Sequence, residues 1–159
     1  MAEENKKHPL AKDGFIIPNH YMEKKYQVID ILEDLLTPDQ YMGFNIGLCL
    51  KYMSRADYNK KLEDYTKASY YLNNAIMFLS RDIKIDENKI HPNHFKHQKI
   101  ETIDMLEDQL DKEALEGFFK GIIIKYLLRY KYKNGLEDLK KANYYLDRFI
   151  NRLKSEEVK

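Results

Sequence analysis

Three side chains that could bind an anion recur twice in this 159-residue sequence, at one spacing. They are Lys125, Tyr126 and Arg129 in the second half of the chain, and Lys51, Tyr52 and Arg55 in the first half. A lysine and an arginine four residues apart share one face of a helix, where they repel unless an anion or a carboxylate offsets them. Both donate hydrogen bonds to phosphate, and a neighbouring tyrosine can stack on a base. The spacing therefore predicts a site for a nucleotide or another phosphorylated small molecule.

Four further residues extend these two groups. Lys141 and Tyr145 follow Arg129 on the next predicted helix, so we expect them to add a cation and a ring to the same site. His94 and His20 stand at equivalent places before the two groups, each directly after a Pro-Asn pair. Either these histidines cap the helix that follows, or they contact a phosphate or a base of the ligand.

Acidic residues in the second half allow two interpretations of the cations. Asp138 comes three residues before Lys141, and Asp104 belongs to an acidic predicted helix. One interpretation is an internal ion-pair network in which the acidic helix is the partner of Lys125 and Arg129. The other is an anion pocket in which carboxylates orient the arginine, and both can hold at once. In the second case Asp104 and Asp138 are candidate ligands for Mg²⁺, which proteins hold through one or two carboxylates.

The second half of the chain repeats the first half with an offset of 74 residues. Pro18-Asn19-His20 returns as Pro92-Asn93-His94, and Tyr70-Tyr71-Leu72 returns as Tyr144-Tyr145-Leu146. Roughly 26 of about 59 aligned positions are identical, and no gap is needed. The chain is therefore a tandem duplication. The predicted segments are a mobile N-terminus at 1–13, a first repeat at 14–80, a linker at 81–90 and a second repeat at 91–155.

Apolar residues recur at helical spacing three times in each repeat. In the first of these stretches Ile29, Leu32 and Leu36 share one face. The predicted helices span 25–36, 38–56 and 60–80 in the first repeat, and 99–110, 112–130 and 136–153 in the second. One repeat of about 60 residues buries little surface alone, so we expect the copies to pack together. The predicted fold class is all-α, with two three-helix repeats packed as a pseudo-two-fold helical bundle, a dimer within one chain.

The second predicted helix of each repeat carries signals at its start and inside it. Thr37-Pro38 is a capping hydroxyl followed by proline, and Asp111 is the capping residue of the second copy. Two glycines one turn apart follow in both copies: Gly43 with Gly47, and Gly117 with Gly121. Because glycine costs about 1 kcal/mol inside a helix, the repeated pair predicts a close helix approach, the alternative being tolerated glycines.

Charge, hydropathy and missing motifs exclude several classes of function. The formal net charge of +1 argues against binding to duplex nucleic acid. No apolar run reaches the length of a membrane span, and residues 1–13 do not form a secretory signal. The single cysteine, Cys49, has apolar neighbours and predicts a buried thiol in a reducing cytosol. The sequence also lacks the glycine-rich loops that bind phosphate in common kinases.

The second repeat resembles the phage SaV-like domain of unknown function, a family often labelled nucleotide kinase. The resemblance rests on Lys125-Tyr126-x-x-Arg129-Tyr130-Lys131 and on Gly135-Leu136-x-Asp138-Leu139-x-Lys141-Ala142. It implies a bacteriophage protein in the cytoplasm of the infected bacterial host, and a role with nucleotides. The first repeat matches more loosely, with Gln27 for Glu101, Ala56 for Tyr130 and Lys61 for Gly135. We therefore expect the second repeat to carry most ligand contacts.

Three functions are compatible with these residues. The first is a nucleotide kinase acting on deoxynucleoside monophosphates with ATP and Mg²⁺, in which Lys125 and Arg129 hold phosphates. The second is a non-catalytic binder that sequesters a nucleotide defence signal, since binding needs no base or nucleophile. The third is an interaction module that binds a host factor. Whether the chains associate further into a homo-oligomer is left open by the sequence.

Overall fold

The computed structural model describes residues 27–58, 60–81, 83 and 101–157. The predicted mobile segment at 1–13, both candidate histidines (His20 and His94) and nearly all of the predicted linker lie outside these residues. Every regular element in the described part is helical, as the apolar spacing predicted. None of the described helices is long and apolar enough to cross a membrane.

In the part of each repeat that the structure describes there are three α-helices, and a 3₁₀ turn directly follows the second of them. The first repeat has α1 (Val28–Leu35), α2 (Pro38–Arg55), a 3₁₀ turn (Ala56–Tyr58) and α3 (Lys61–Ser80). The second has α4 (Thr102–Gln109), α5 (Lys112–Arg129), a 3₁₀ turn (Tyr130–Tyr132) and α6 (Leu136–Glu157). The predicted all-α class with two three-helix repeats is confirmed. The largest difference is at the C-terminus, where α6 continues four residues beyond the predicted end at Leu153.

The starts of α2 and α5 follow from short-range hydrogen bonds. Thr37 and Gln40 cap α2 reciprocally, because the Gln40 N–H donates to Thr37 Oγ1 (3.3 Å) and the Thr37 N–H donates to Gln40 Oε1 (3.0 Å). The Asp111 carboxylate caps α5 by accepting from the Ala114 N–H at 2.8 Å. Both predicted caps are therefore confirmed.

Gly135 lies in the left-handed region that its turn requires. Its φ is +52°, and its N–H donates to the carbonyl of Tyr130 at 2.8 Å, which closes the connection between α5 and α6. Only glycine adopts this backbone without a steric cost. The equivalent residue of the first repeat, Lys61, is instead the first residue of α3.

The chain divides into two compact units, and the boundary falls inside α2, between Phe44 and Asn45. In the first unit, Ile29 is buried on α1, whereas Val28 and Leu35 on the same helix are exposed. The second unit contains the rest of α2 and all later helices described. A boundary within α2 differs from the boundaries of the sequence repeats.

The core of the second unit forms where α3 packs against α6. The Tyr65 ring meets Phe149 edge-on at 4.9 Å, and Phe149 stacks on Phe119 at 5.1 Å. Cys49 has no exposed surface, and burial raises the pKa of its thiol to about 12, so the predicted buried thiol is confirmed. Since α3 and α6 are equivalent helices of the two repeats, their pairing is what a pseudo-two-fold bundle requires.

Ion pairs beside this core join the two repeats. Lys61 Nζ lies 2.8 Å from Glu116 Oε2, and Lys120 pairs both with Asp57 and, at 3.3 Å, with Glu116. The charges of Glu116 and Asp57 add to burial in raising the pKa of Tyr65. The equivalent positions of the first repeat, 74 residues before Glu116 and Lys120, hold the apolar residues Met42 and Ile46. The ion pairs therefore have no equivalent there.

The close helix approach predicted from the repeated glycines is wrong. All four glycines of α2 and α5 are exposed, and a Cβ built on any of them would meet no described atom within 4 Å. Their lack of a side chain therefore serves no packing contact in the described part of the chain. What remains is the backbone entropy that glycine costs inside a helix.

We expect Gly117→Ala and Gly121→Ala each to stabilise the protein by about 0.5–1 kcal/mol, because alanine fits the open space and loses less backbone entropy. Thermal unfolding followed by circular dichroism should show Tm rising by a few degrees for each variant. Gly135→Ala is the matched control and should destabilise by about 1–2 kcal/mol, since its φ is positive. Destabilisation by either helical substitution would contradict the open environment described above.

Candidate anion-binding site

Each repeat holds an arginine against a buried aspartate in the same geometry. Arg129 donates from Nε to Asp138 Oδ2 at 2.8 Å and from Nη2 to Asp138 Oδ1 at 2.9 Å. Arg55 forms the same pair of hydrogen bonds with Asp64, at 2.9 and 2.6 Å, and we call this two-bond arrangement the fork. Both aspartate side chains have no exposed surface, whereas the arginine side chains are 32% and 41% exposed. Each arginine thus reaches from the surface onto a buried carboxylate.

These forks correct one part of the ion-pair interpretation. The acids on the first helix of the second repeat were the expected partners of Arg129, but Asp138 on α6 takes that place. Asp104 and Glu107 on α4 instead bind Arg148, at 2.5 and 2.6 Å. This pairing raises the pKa of Arg148, and it connects the first and third helices of the second repeat.

The electrostatics of Asp138 favour its ionised form despite burial. Burial alone would raise its pKa, but hydrogen bonds from Arg129 and Asn134 outweigh that effect, with help from the charge of Lys141. The pKa of Asp138 therefore lies below its ordinary value. Asn134 donates to Asp138 Oδ1 at 3.1 Å, and its counterpart in the first repeat is Lys60. The pKa of Arg129 is correspondingly raised, chiefly by its hydrogen bond to Asp138.

The fork leaves one edge of each guanidinium available. Arg129 and Arg55 use Nε and Nη2 for the aspartate, and no described residue accepts a hydrogen bond from Nη1. An arginine has five N–H donors in a fixed plane, so anchoring one edge also fixes the direction of the other. Three oriented N–H donors of each arginine, two on Nη1 and one on Nη2, are therefore left outside the fork.

A pair of stacked tyrosines lies beside each arginine. The guanidinium carbon is 4.7 Å from the Tyr126 ring centroid in the second repeat and 4.7 Å from Tyr52 in the first. Tyr126 stacks on Tyr145 at 6.1 Å, and Tyr52 stacks on Tyr71 at 5.7 Å. A base held between two rings would need about 7 Å, twice the carbon contact distance. These pairs are therefore closed, and a base does not fit between them.

The lysines of the site fall into two kinds. Lys125 and Lys51 are exposed, and no described carboxylate lies within ion-pair distance of either, although their ammonium groups lie 4.8 and 5.9 Å from the adjacent tyrosine rings. Lys141 is held by Glu137 at 2.6 Å, and Lys67 is held by Glu63 in the same way. The cations left for a ligand are thus Lys125 and Lys51, together with the outer edge of each arginine.

The two predicted ligands for Mg²⁺ lie in different surroundings, and their role stays a prediction. Both oxygens of Asp138 accept hydrogen bonds from Arg129, and one also accepts from Asn134, so few lone pairs of this carboxylate are left for a metal ion. Asp104 is bound through one oxygen by a different arginine, Arg148. In the described part of the chain, histidine, cysteine and acidic side chains form no group of three that could hold a metal ion.

The site is built equally in both repeats. Every residue of the second cluster except Asn134 has an identical counterpart 74 residues earlier, and the forks and ring stacks agree closely in distance. The sequence differences that suggested a degenerate first repeat lie outside the cluster, and Lys60 in place of Asn134 is a further difference within it. The roles of Asp64 and Asn134 were missed at the level of sequence. The identity of Asp64 with Asp138 was the available signal for the first of these.

We expect Asp138→Asn to destabilise the protein by about 2 kcal/mol at pH 7, because it removes the buried partner of Arg129 while the guanidinium stays partly solvated. Glu137→Gln is the matched control on the same helix, and its partly exposed pair with Lys141, four residues away on one helix, should contribute below about 1 kcal/mol. Urea unfolding followed by circular dichroism measures both. Equal losses in the two variants would show that the fork has no special role.

The same variant has a defined pH dependence. Because the pKa of Asp138 is lowered by folding, its stabilisation is complete above its unfolded pKa of about 4 and is lost as pH falls through the folded pKa. The difference in unfolding free energy between the natural protein and Asp138→Asn should therefore shrink as pH falls from about 5 to about 2, a range that spans the unfolded pKa and extends below it. A difference that stayed constant over this range would contradict an ionised Asp138 in the folded state.

Comparison with known protein families identifies the repeated unit. A family described as a protein of unknown function, DUF3310, matches the chain at residues 17–73 and again at residues 89–147. Each match contains one complete arginine–aspartate–tyrosine cluster, and the tandem duplication predicted from the 74-residue offset is confirmed. No curated protein and no solved structure matches the chain. The two matches together cover more than half of the sequence, and the chain therefore belongs to the DUF3310 family, as two copies of that domain in tandem.

Proposed function

We propose that this protein binds a nucleotide or a closely related phosphorylated small molecule at its two arginine–aspartate–tyrosine clusters. The observation that carries the proposal is the oriented outer edge of each arginine, next to an exposed lysine with no described carboxylate partner. A planar guanidinium edge and an ammonium group are the two cationic donors that proteins use for phosphate. The repeat of this arrangement in both halves supports two sites per chain.

The buried aspartate contributes to binding by fixing the arginine in advance. A free arginine loses rotational freedom when it binds an anion, which costs about 0.5–1.5 kcal/mol for a long side chain. Arg129 is already held by two hydrogen bonds to Asp138 and lies against the Tyr126 ring. The outer edge can therefore meet a phosphate with little further ordering of the protein.

The local charge also favours an anion. Each cluster holds more cations than carboxylates in a chain that is almost neutral overall: three against two in the second repeat, and one more cation, Lys60, in the first. In the second repeat the five are Lys125, Arg129, Lys141, Glu137 and Asp138. Lys141 neutralises Glu137 and Arg129 neutralises Asp138, which leaves Lys125 as the unmatched charge. Because Lys125 is exposed, its attraction for phosphate should weaken as salt increases.

Binding without turnover is the form of this function that the side chains favour. A kinase reaction needs a group that activates the attacking oxygen and a site for the metal ion of ATP. Asp138 is committed to Arg129 and Asn134, and Asp104 is committed to Arg148. A binder that sequesters a nucleotide needs neither group. Transfer of phosphate from ATP to a deoxynucleoside monophosphate remains a prediction that the same samples can test.

The biological setting belongs to the proposal as well. The resemblance of the second repeat to a phage SaV-like domain supports a phage protein acting in the cytoplasm of an infected bacterium. In that setting a nucleotide binder could either serve nucleotide metabolism or withdraw a nucleotide signal of host defence. The sequestering role is favoured by the same committed carboxylates that disfavour phosphate transfer.

A nucleotide panel with and without Mg²⁺ tests the proposal by thermal shift and by calorimetry. We expect binding that does not require Mg²⁺, with the ligand recovered unchanged by chromatography. Lys51→Ala combined with Lys125→Ala should weaken binding by about 10- to 100-fold, the loss of one charge-assisted contact per site. Each lysine alone should leave one intact site, since both clusters are complete.

Lys154→Ala is the matched control, because Lys154 is an exposed lysine of α6 outside both clusters. It should leave the affinity unchanged. If no nucleotide of the panel shifts the melting temperature of protein that circular dichroism shows to be folded, the nucleotide proposal is contradicted. Release of a diphosphate product in the presence of ATP and Mg²⁺ would establish the kinase reaction instead. Size-exclusion chromatography of the same samples reports whether chains self-associate.

A further inference from the structure

One pair of equivalent tyrosines lies outside the stacked pairs. Tyr58 and Tyr132 are separated by the 74-residue offset and end the two 3₁₀ turns. They are 91% and 89% exposed, more than any other large apolar or aromatic side chain in the described residues. A lone exposed tyrosine has no need of explanation, but the same exposed ring retained at both copies of one position indicates a use for it.

The short 3₁₀ turns keep each exposed tyrosine near the anchored arginine along the chain, because each turn starts directly after that arginine. The rise in a 3₁₀ helix is about 2 Å per residue. Tyr132 is three residues after Arg129, and Tyr58 is three residues after Arg55, so each pair is separated by about 6 Å along the chain. That separation is comparable with the distance from the phosphate to the base of one nucleotide.

The other rings near the arginines already have partners. Tyr126 and Tyr145 are stacked on each other, and Tyr130, the first residue of the same 3₁₀ turn, is buried. Tyr132 is the ring of this turn that offers an open face, and Tyr58 has the same position after the buried Ala56. A base that cannot enter the closed tyrosine pair can stack on the exposed ring instead.

The charges around the two rings differ. Tyr132 lies between two exposed lysines, Lys131 and Lys133, in a turn without an acidic residue. Tyr58 directly follows Asp57, whose carboxylate pairs with Lys120. Hydrogen bonding to Lys120 lowers the pKa of Asp57, so that residue is anionic at neutral pH. Lys61 also lies 3.9 Å from the Asp57 carboxylate, so two lysines offset its charge. The turn of Tyr132 is nonetheless the more cationic of the two in its own residues, which favours a phosphorylated ligand there.

We propose that Tyr132, and Tyr58 in the first repeat, stack on the base of the ligand whose phosphate is held by the adjacent lysine and arginine. The inference rests on the proposed function and adds the ligand class: an unpaired nucleobase joined to a phosphate, as in a mononucleotide or a single strand. It also ranks the sites, with the second repeat binding more tightly than the first. Stacking of a base on one aromatic ring is sensitive to removal of the ring and tolerant of the identity of the base.

The test uses the full chain and three probes: a deoxynucleoside 5′-monophosphate, ribose 5-phosphate, and a short single-stranded oligodeoxynucleotide. Tyr58→Ala with Tyr132→Ala should weaken binding of the monophosphate by about 5- to 150-fold, the range for loss of one base stack. Binding of ribose 5-phosphate, followed by NMR titration, should be unchanged because that probe has no base. Tyr58→Phe with Tyr132→Phe keeps both rings and should retain the natural affinity.

Single variants test the ranking of the two sites. Tyr132→Ala should weaken the tighter of two binding steps in calorimetry, and Tyr58→Ala should weaken the other. The oligonucleotide arm identifies the source of the base, since a strand that reaches both rings should bind more tightly than the monophosphate and lose more in the double variant.

The outcomes separate this inference from the proposed function. Natural protein that binds none of the three probes would overturn this inference, and the proposed function as well if the whole nucleotide panel also fails. Natural protein that binds the monophosphate with the same affinity as the double alanine variant would overturn the stacking role alone. An equal loss for the monophosphate and for ribose 5-phosphate would also overturn it, because the tyrosines would then act on the fold or on the phosphate.

Discussion

The fork between a buried aspartate and a surface arginine is the interaction on which the candidate site depends. Asp138 and Asp64 have no exposed surface, and a buried carboxylate is costly unless it is paired and hydrogen-bonded. The arginine of the preceding long helix is the partner in both repeats. Once that arginine is fixed, its flat side lies against a tyrosine, and no described residue accepts a hydrogen bond from its Nη1. One electrostatic requirement of folding therefore creates the oriented donors of the site.

The duplication shows which features of the domain are constant and which are free to change. The fork, the stacked tyrosines and the exposed tyrosine at the end of the 3₁₀ turn are present in both copies. Arg148, which binds α4 in the second repeat, is replaced by Asn74 in the first. The difference removes an ion-pair anchor but leaves the cluster intact. The result is two clusters that share the same side chains but have different neighbouring residues.

Those surroundings decide what each site can do. In the proposed mode of binding, a guanidinium edge and a lysine hold a phosphate, while the exposed ring adds affinity for a base. Neither step requires a nucleophile or a general base. Two carboxylates near the cations, Asp138 and Asp104, are hydrogen-bonded by arginines. These contacts support the proposal that the domain holds a nucleotide without changing it.

The sequence by itself determined the helices, their caps, the duplication and the cations of the site, because each depends on residues at most a few turns apart. Lys125 and Arg129 share a face through helical spacing alone, and Asp111 caps α5 through one local bond. The tertiary structure decided which acid binds Arg129, that the tyrosine pairs are closed, and that the repeated glycines face open space. These outcomes depend on how helices pack, and a difference of a few ångströms between side chains on different helices selects one partner over another. Periodicity gives the face on which a residue lies, but the distance across to the next helix is set by the packed core.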